Sequence, residues 1–328
     1  MTQTIGLIVL VIIIVSIMVF RNKKTNDSKA LNAGERNKVN YLLKDDSEIT
    51  KETMETLFDS NKLGKYWSDF EPLLRSEIRI FAEPKNESEI SIGQSKIGGL
   101  PDLPNNVNWF KEDNGKSLSF IAQINCSELK DLEQHLKLPD DGIIYFFYSA
   151  AQEAWGFDIK DKDKFKVYYS TRTDNLVRKD APSDLEKHSI FKTCILKYKN
   201  SVSLPSWEND LVRNRLNEKE LDNYIEITSN ETMNKMFGYA DNVQGEMELE
   251  CQLVTNGLYC GDATGYNDPR RPALEKGIGD WNLLLQIDSE EDKTGMMWGD
   301  AGRLYFWIKE KDLKNLDFDK SWFALQCY

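Results

Sequence analysis

Residues 281–307 read WNLLLQIDSEEDKTGMMWGDAGRLYFW. The apolar runs Leu283–Ile287 and Arg303–Ile308 are short, rich in branched and aromatic side chains, and bounded by turn formers. They therefore predict two buried strands rather than a helix. An acidic loop with glycines at 295, 299 and 302 joins them. The arrangement occurs once before, as Ser119–Asn125 (SFIAQIN) followed by Gly142–Phe147 (GIIYFF). In both places a strand ends in Gln-Ile-(Asn/Asp), and a later strand starts from Gly and runs into Tyr-Phe-aromatic.

The echo extends upstream. Lys96-Ile97-Gly98-Gly99-Leu100-Pro101-Asp102 aligns with Lys235-Met236-Phe237-Gly238-Tyr239-Ala240-Asp241. Gln123 then matches Gln286, and Gly142 matches Gly302. Three elements in a kept order imply a duplication spanning about 90–150 and 230–315. Two repeats are too few for a solenoid, so the halves are expected to share one core. The fold class that follows is α+β and β-rich: a large antiparallel sheet or meander from two divergent repeats, with peripheral helices, preceded by one transmembrane helix.

That helix is read from Ile5–Phe20, IGLIVLVIIIVSIMVF, followed at once by Arg21-Asn22-Lys23-Lys24. At about 1.5 Å per residue the run is slightly short for a hydrocarbon core of roughly 30 Å. Thr2–Thr4 and snorkelling of Arg21 and Lys23 supply the remainder. The cations follow the apolar run and no small-x-small site comes after it, which argues against a cleaved leader. The basic flank places the rest of the chain on the cytoplasmic face. The organisation expected is an anchor over 1–24, a polar tether over 25–48, and an α+β domain over 49–328.

Along that domain the pattern predicts a helix over Ile49–Leu63 and a first strand at Glu77–Phe81. A turn-rich loop follows over Ser91–Pro104, where Gly98-Gly99 gives backbone freedom and Pro101 and Pro104 stiffen the exit. Ser127 reads as the N-cap of a helix to Leu138. Pro139-Asp140-Asp141-Gly142 is a turn. Phe165–Tyr169 and Ile190–Tyr198 read as strands, and Ser206–Asn217 and Glu218–Tyr224 as helices. Lys235–Gln244 reads as loop, and Met247–Leu253, alternating apolar with Glu, as a one-sided strand. Cys260–Gly279 is irregular, and a helix at Leu313–Leu316 follows the focal pair.

The quoted motifs KIGGLPDLP with Trp109, FIAQIN, LPDDGIIYFF, KMFGYADNVQGEMELECQL and LLLQIDSEEDKTGMMWGDAGRLYFWI resemble the bacterial YwqG-like family. The similarity covers roughly residues 65 to 328 and is most specific in the last 95. It implies a mixed, β-rich fold around a large antiparallel meander partly closed on itself. It carries no established function and no catalytic residues. The departure is the N-terminal anchor and tether, since many such proteins lack one.

Bulk chemistry narrows the function. Net charge is −12 and residues 1–20 carry no charged side chain. A domain this acidic, without a basic stripe, excludes nucleic acid as a partner. Five scattered cysteines without a C-x-x-C read as buried, reduced thiols. The two histidines, His135 and His188, exclude sites that need a His cluster. Gly98-Gly99 lacks the context of a phosphate-cradling loop, and no cofactor motif is present.

Among the acids, Asp288, Glu290 and Asp292 have the spacing of a calcium loop but lack its Gly and its closing Glu, so no metal site is expected. Gln123 and Gln286 follow apolar strand residues, where a buried amide needs partners; each is expected to pin a neighbouring loop, its own glycine loop being the candidate. Trp298-Gly299-Asp300-Ala301-Gly302-Arg303 sets an aromatic, an acid and a base on one turn. Asp300 and Arg303 either pair with each other or line a cleft, with Trp298 as wall and Arg303 as an anion ligand. The same alternatives apply to Asp268 and Arg270-Arg271.

The candidate ligand-binding residues are therefore Trp298, Asp300, Arg303, Asp288, Gln286, Gln123, Gly98 and Gly99. The leading reading is a binding module that engages a protein or peptide partner through the loops at 96–104, 235–244 and 288–303. The lipid bilayer is a second contact, through residues 5–20. The alternative is a hydrolase or transferase with a carboxylate site near Asp288–Asp300.

Overall fold

Strands buried on both faces lose the apolar–polar alternation and read as continuous apolar runs. This is why IIYFFYS at β5 (Ile143–Ser149) and RLYFWIK at β11 (Arg303–Lys309) look alike, with almost every position buried. The computed structural model describes residues 48–229 and 233–328. The anchor at 1–24 and the tether up to residue 47 lie outside the described residues. Among the described residues no helix is long and apolar enough to cross a membrane.

The main sheet has ten antiparallel strands in the order β12-β11-β10-β9-β1-β8-β2-β4-β5-β6. The remaining sheet strands are β1 (Arg75–Pro84), β2 (Lys96–Ile97), β4 (Leu118–Asn125), β6 (Phe165–Ser170), β8 (Cys194–Ser203), β9 (Lys235–Phe237), β10 (Trp281–Asp288) and β12 (Trp322–Gln326). A two-stranded ribbon, β3 (Asp102–Pro104) with β7 (Leu176–Arg178), lies apart from it.

This order is a palindrome. β2-β4-β5-β6 on one side of the central β1–β8 pair is matched by β9-β10-β11-β12 on the other. β1 and β8 pair over ten residues, from Arg75↔Ser203 to Pro84↔Cys194. β1, from the first half, lies against β9 of the second; β8, from the second, lies against β2 of the first. The two sides of the sheet thus mirror one another strand for strand, and the central strand that adjoins each side comes from the other half of the chain. Even the irregularity repeats: the register slips between Phe120 and Ala122 in one half and between Leu283 and Leu285 in the other.

The sheet curls into a nearly closed barrel. Its edges, β6 and β12, meet through side chains: Phe165 packs on Phe323 with ring centroids 4.8 Å apart and on Trp322 at 5.7 Å. Lys162 Nζ donates to the Asp319 carbonyl at 2.7 Å, and Lys166 pairs with Asp319. Deeper in, Phe146 of β5 meets Phe306 of β11 at 5.0 Å. Both halves thus fill one core, as the repeat count required. A second apolar cluster, including Leu118, Phe120, Tyr145 and Phe147 with Leu103 of β3, covers the other face of the first half.

Helix α1 (Lys51–Ser60) is capped by Thr50, whose side chain accepts the Thr53 amide, and buries Met54, Leu57 and Phe58. It packs against α2 (Glu218–Thr228), opened by a capping box of Asn217 and Glu220.

Several local expectations are corrected. Met247–Leu253 is not a strand: α3 (Glu248–Val254) is a buried helix. Met247, Cys251 and Val254 also fall at i, i+4 and i+7, and Glu, Leu, Gln and Met favour helix, so the period-two signal was ambiguous. Ser127 does not open a long helix; two 3₁₀ pieces, Cys126–Leu129 and Glu133–Lys137, stand there instead, the first capped by Asn125. Only Asp210–Arg213 of the 206–217 segment is helical. Lys235–Phe237 is a strand, not loop, because it mirrors β2.

Candidate functional site

Each half builds the same buried polar network on its glycine loop. In the first, the loop after β2 turns back over the sheet so that Asp102 sits above Lys96, Gln123 and Tyr145. Gln123 accepts the Asp102 amide at 2.8 Å and donates to the Asp102 carboxylate at 2.9 Å and the Gln94 carbonyl at 2.8 Å. Tyr145 Oη donates to the Asp102 carbonyl at 2.6 Å, and Lys96 Nζ lies 3.3 Å from the Asp102 carboxylate and 2.7 Å from Glu87.

In the second half Gln286 accepts the Asp241 amide at 2.9 Å and donates to its carboxylate at 2.8 Å and to the Met233 carbonyl. Tyr305 Oη donates to the Asp241 carbonyl at 2.7 Å, and Lys235 bridges Asp241 at 2.7 Å and Glu77 at 3.0 Å. The Gln, Asp, Tyr and Lys roles coincide, whereas the second acid on each lysine, Glu87 or Glu77, comes from a non-equivalent position, and Arg178 binds the Asp carboxylate in the first half alone.

The reason is local. A glycine loop laid on a sheet brings its backbone donors and acceptors out of water, and each must be satisfied. Gly98 and Gly99 have φ of +67° and +71°, and their counterparts Phe237 and Gly238 have +62° and +69°. A Cβ on Gly98 would lie 2.2 Å from the Lys192 carbonyl oxygen, so the first half needs glycine there. Charge balance matters too. Burial alone would push the Asp102 carboxyl up, but Arg178 and Lys96 hold it below its ordinary value. Burial likewise works against the Lys235 charge, and Asp241 and Glu77 outweigh it, holding the ammonium above its ordinary value.

Gln123, Gln286, Gly98 and Gly99 thus serve these networks, as the loop-pinning reading of the amides anticipated. The other sequence candidates lie elsewhere than expected. Trp298 is fully buried, edge-on to Tyr148 at 6.0 Å and to Phe191 at 5.6 Å, so it walls no open cleft. Arg303 does not pair with Asp300. Its Nε lies 3.1 Å from Asp288 and its Nη1 donates to the Asp241 carbonyl at 3.0 Å, because both cap the second network. Asp300 is exposed on its turn. Asp268 binds Arg270 at 2.9 Å in an exposed loop. The loops at 235–244 and 288–303 do converge, through these contacts and through Asn234, which accepts the Asp288 amide at 2.7 Å.

What sequence reasoning missed is a cleft of about 610 Å³ at one end of the first half. Ser117 before β4, Ser149 ending β5 and Lys164 before β6 form its floor, and the 184–189 segment forms a wall. Glu112 accepts from Ser149 Oγ at 2.6 Å, Lys164 Nζ at 2.8 Å and Asn114 Nδ2 at 2.9 Å. Burial raises its carboxyl, but Lys164, Ser149 and Asn114 overcome that and hold it low. Asp184 accepts both the Ser117 amide at 2.7 Å and its hydroxyl at 2.9 Å. Asp161, half-buried, takes the Gly156 amide at 3.1 Å and is held above its ordinary value by burial. Glu153 and Glu186 stand exposed at the rim beside His188.

The cleft is therefore acidic, polar and partly preorganised. Its serines donate to carboxylates whose affinity for protons is depressed, which makes those carboxylates poor bases for activating a nucleophile. Among the described residues no group of three His, Cys, Asp or Glu could hold a metal ion. Four of the five cysteines are buried, none is in a disulfide, and burial pushes the Cys126 thiol up to about 12. Burial disfavours the thiolate form in those four.

Residues 95–327 match the model of a family described as a domain of unknown function, DUF1963. No curated protein matches the chain.

Proposed function

The chain belongs to the DUF1963 family, whose function is unknown, and we propose that it is a binding module for a protein or peptide partner that presents a basic segment. The cleft carries this reading. It has the size of a ligand site, and its carboxylates outnumber its cations while its inner ones are fixed by hydrogen bonds. Carboxylates already oriented lose little freedom on meeting a lysine or arginine, and an acidic field speeds the encounter. The finer placing with the YwqG-like proteins rests on the sequence motifs. So does the rest of the reading: residues 5–20 anchor the module in the bilayer, and the domain stands on the cytoplasmic side.

The hydrolase or transferase alternative near Asp288–Asp300 has less support. Asp288 is engaged by Arg303, and Glu290 by Lys293 and Asn234.

The test is titration of a fluorescent lysine-rich peptide into the full chain, beside Glu153→Lys/Glu186→Lys at the rim. Saturable binding abolished by the rim variant supports the reading. Equal binding by both proteins, or none by either, removes the cleft from consideration. Arg303 and Trp298 are unsuitable as binding variants because both are buried and their loss perturbs the fold.

A further inference from the structure

On a chain of net charge −12, one cavity is lined by lysines. It measures about 470 Å³ and is bounded by Lys85-Asn86, Lys192-Thr193 and Lys293. The three lysines come from points more than a hundred residues apart, yet their backbones are laced together. The Lys85 amide donates to the Thr193 carbonyl at 3.0 Å, and the Lys192 amide donates to the Thr294 carbonyl at 2.7 Å. Cys194 Sγ donates to the Lys293 carbonyl at 3.8 Å. The third lysine comes from the second half, so the cavity exists only because the two halves are joined.

Two acids share its wall: Glu87 is bound to Lys96 at 2.7 Å and Arg178 at 3.0 Å, so its charge is compensated from inside, while Glu89 is exposed and offsets one lysine. Lys293 is balanced by Glu290 at 2.8 Å. Lys85 and Lys192 have no carboxylate within ion-pair distance among the described residues. We infer that this cavity binds a dianionic phosphoryl group, free or carried as the ester of a small molecule, between Lys85, Lys192 and Lys293. Compact ammonium charges on flexible stems suit a phosphate, which can accept from several directions, whereas a planar carboxylate favours the arginine fork. The cavity exceeds the size of phosphate alone, leaving room for an esterified body.

The experiment follows the ³¹P line of inorganic phosphate on addition of the full chain in non-ionic micelles, with glycerol phosphate as competitor. Broadening that weakens about tenfold or more in Lys85→Gln/Lys192→Gln, as loss of charge-assisted hydrogen bonds requires, supports the site. Lys219→Gln, exposed elsewhere, should leave the line unchanged. Lys192→Arg keeps the charge and should retain binding, which separates loss of the site from loss of the fold. Stronger displacement by the ester than by phosphate identifies the ester as ligand; the reverse identifies the free ion. Absence of broadening, or equal broadening in the double variant, overturns the inference.

Discussion

Replacing Gln123 with Leu should reveal how much of the fold rests on the buried networks. The amide is inaccessible to solvent and makes three hydrogen bonds, one from the Asp102 amide and two to the Gln94 carbonyl and the Asp102 carboxylate. Leucine fills the space but leaves all three groups without that partner. An orphaned buried polar group costs about 1–3 kcal/mol, and the added apolar burial returns a fraction, so the expected loss is about 4 kcal/mol. For a domain of this size that is roughly 10 °C in Tm. Gln286→Leu removes the equivalent three bonds around Asp241 and should cost the same within about 1 kcal/mol. Thermal and urea unfolding, followed by far-ultraviolet circular dichroism and tryptophan fluorescence, read both values. A loss below about 1 kcal/mol in either variant would refute the view that these amides hold their loops. A large loss in one half only would refute the equivalence of the two networks.

Three further outcomes are expected. Gly98→Ala should destabilise by about 2 kcal/mol or more in urea unfolding, since its Cβ meets a backbone carbonyl and the left-handed conformation disfavours it. Burial in α3 holds the Glu250 carboxyl up to about 8 from an ordinary 4.5, with Tyr266 Oη at 3.2 Å as its partner. The folded chain then keeps a proton that the unfolded chain releases, so stability falls as pH rises from 4.5 toward 8, by about 3 kcal/mol at pH 7. Glu250→Gln should flatten that slope in pH-dependent unfolding and raise Tm at pH 8; an unchanged slope would show that Glu250 ionises freely. Finally, fragments cut after the exposed Asp180 should fail to fold singly and regain the native spectrum when mixed, because β1 and β8 each sit within the other half's sheet.

Much of this was legible in the residues. Gln-Ile ending one strand and Gly-x-x-Tyr-Phe opening another recur because the networks need Gln and Tyr on neighbouring strands, at Gln123↔Tyr145 and Gln286↔Tyr305. A functional constraint is not required to explain that repetition; satisfying a buried loop is enough. The central pair was hidden, because pairing with the other half's sheet leaves no local mark in RSEIRIFAEP or CILKYKNSVS. Phe237 standing where the first half has Gly98 also weakened the match, since nothing in its chemistry announces a positive φ. The cleft was invisible for a different reason. Glu112, Ser149, Asp161, Lys164 and Asp184 form no motif and meet only when three strand ends and the 184–189 segment come together.

The two halves share their networks but not their clefts, and the difference lies in one connection. Between β11 and β12 the chain folds into the short helix Glu310–Lys314 and returns at once. Between β5 and β6 it instead reaches across to the far edge of the sheet. There the Leu325 amide donates to the Trp155 carbonyl at 3.2 Å and Trp322 Nε1 donates to the Gly156 carbonyl at 3.0 Å. Gly156 lies so close to β12 that a Cβ would stand 2.3 Å from the Phe323 carbonyl oxygen. The segment that covers the open edge of the barrel is thus the one that leaves room above Ser149 and Lys164. An exposed strand edge invites pairing with another chain, and covering it removes that hazard. The first half therefore gained its cleft through the same connection that protects the last strand, while the Gln–Asp networks stayed common to both halves. Substitutions at Glu153 or Glu186 should consequently change binding without changing stability, and substitutions at Gln123 or Gln286 should do the reverse.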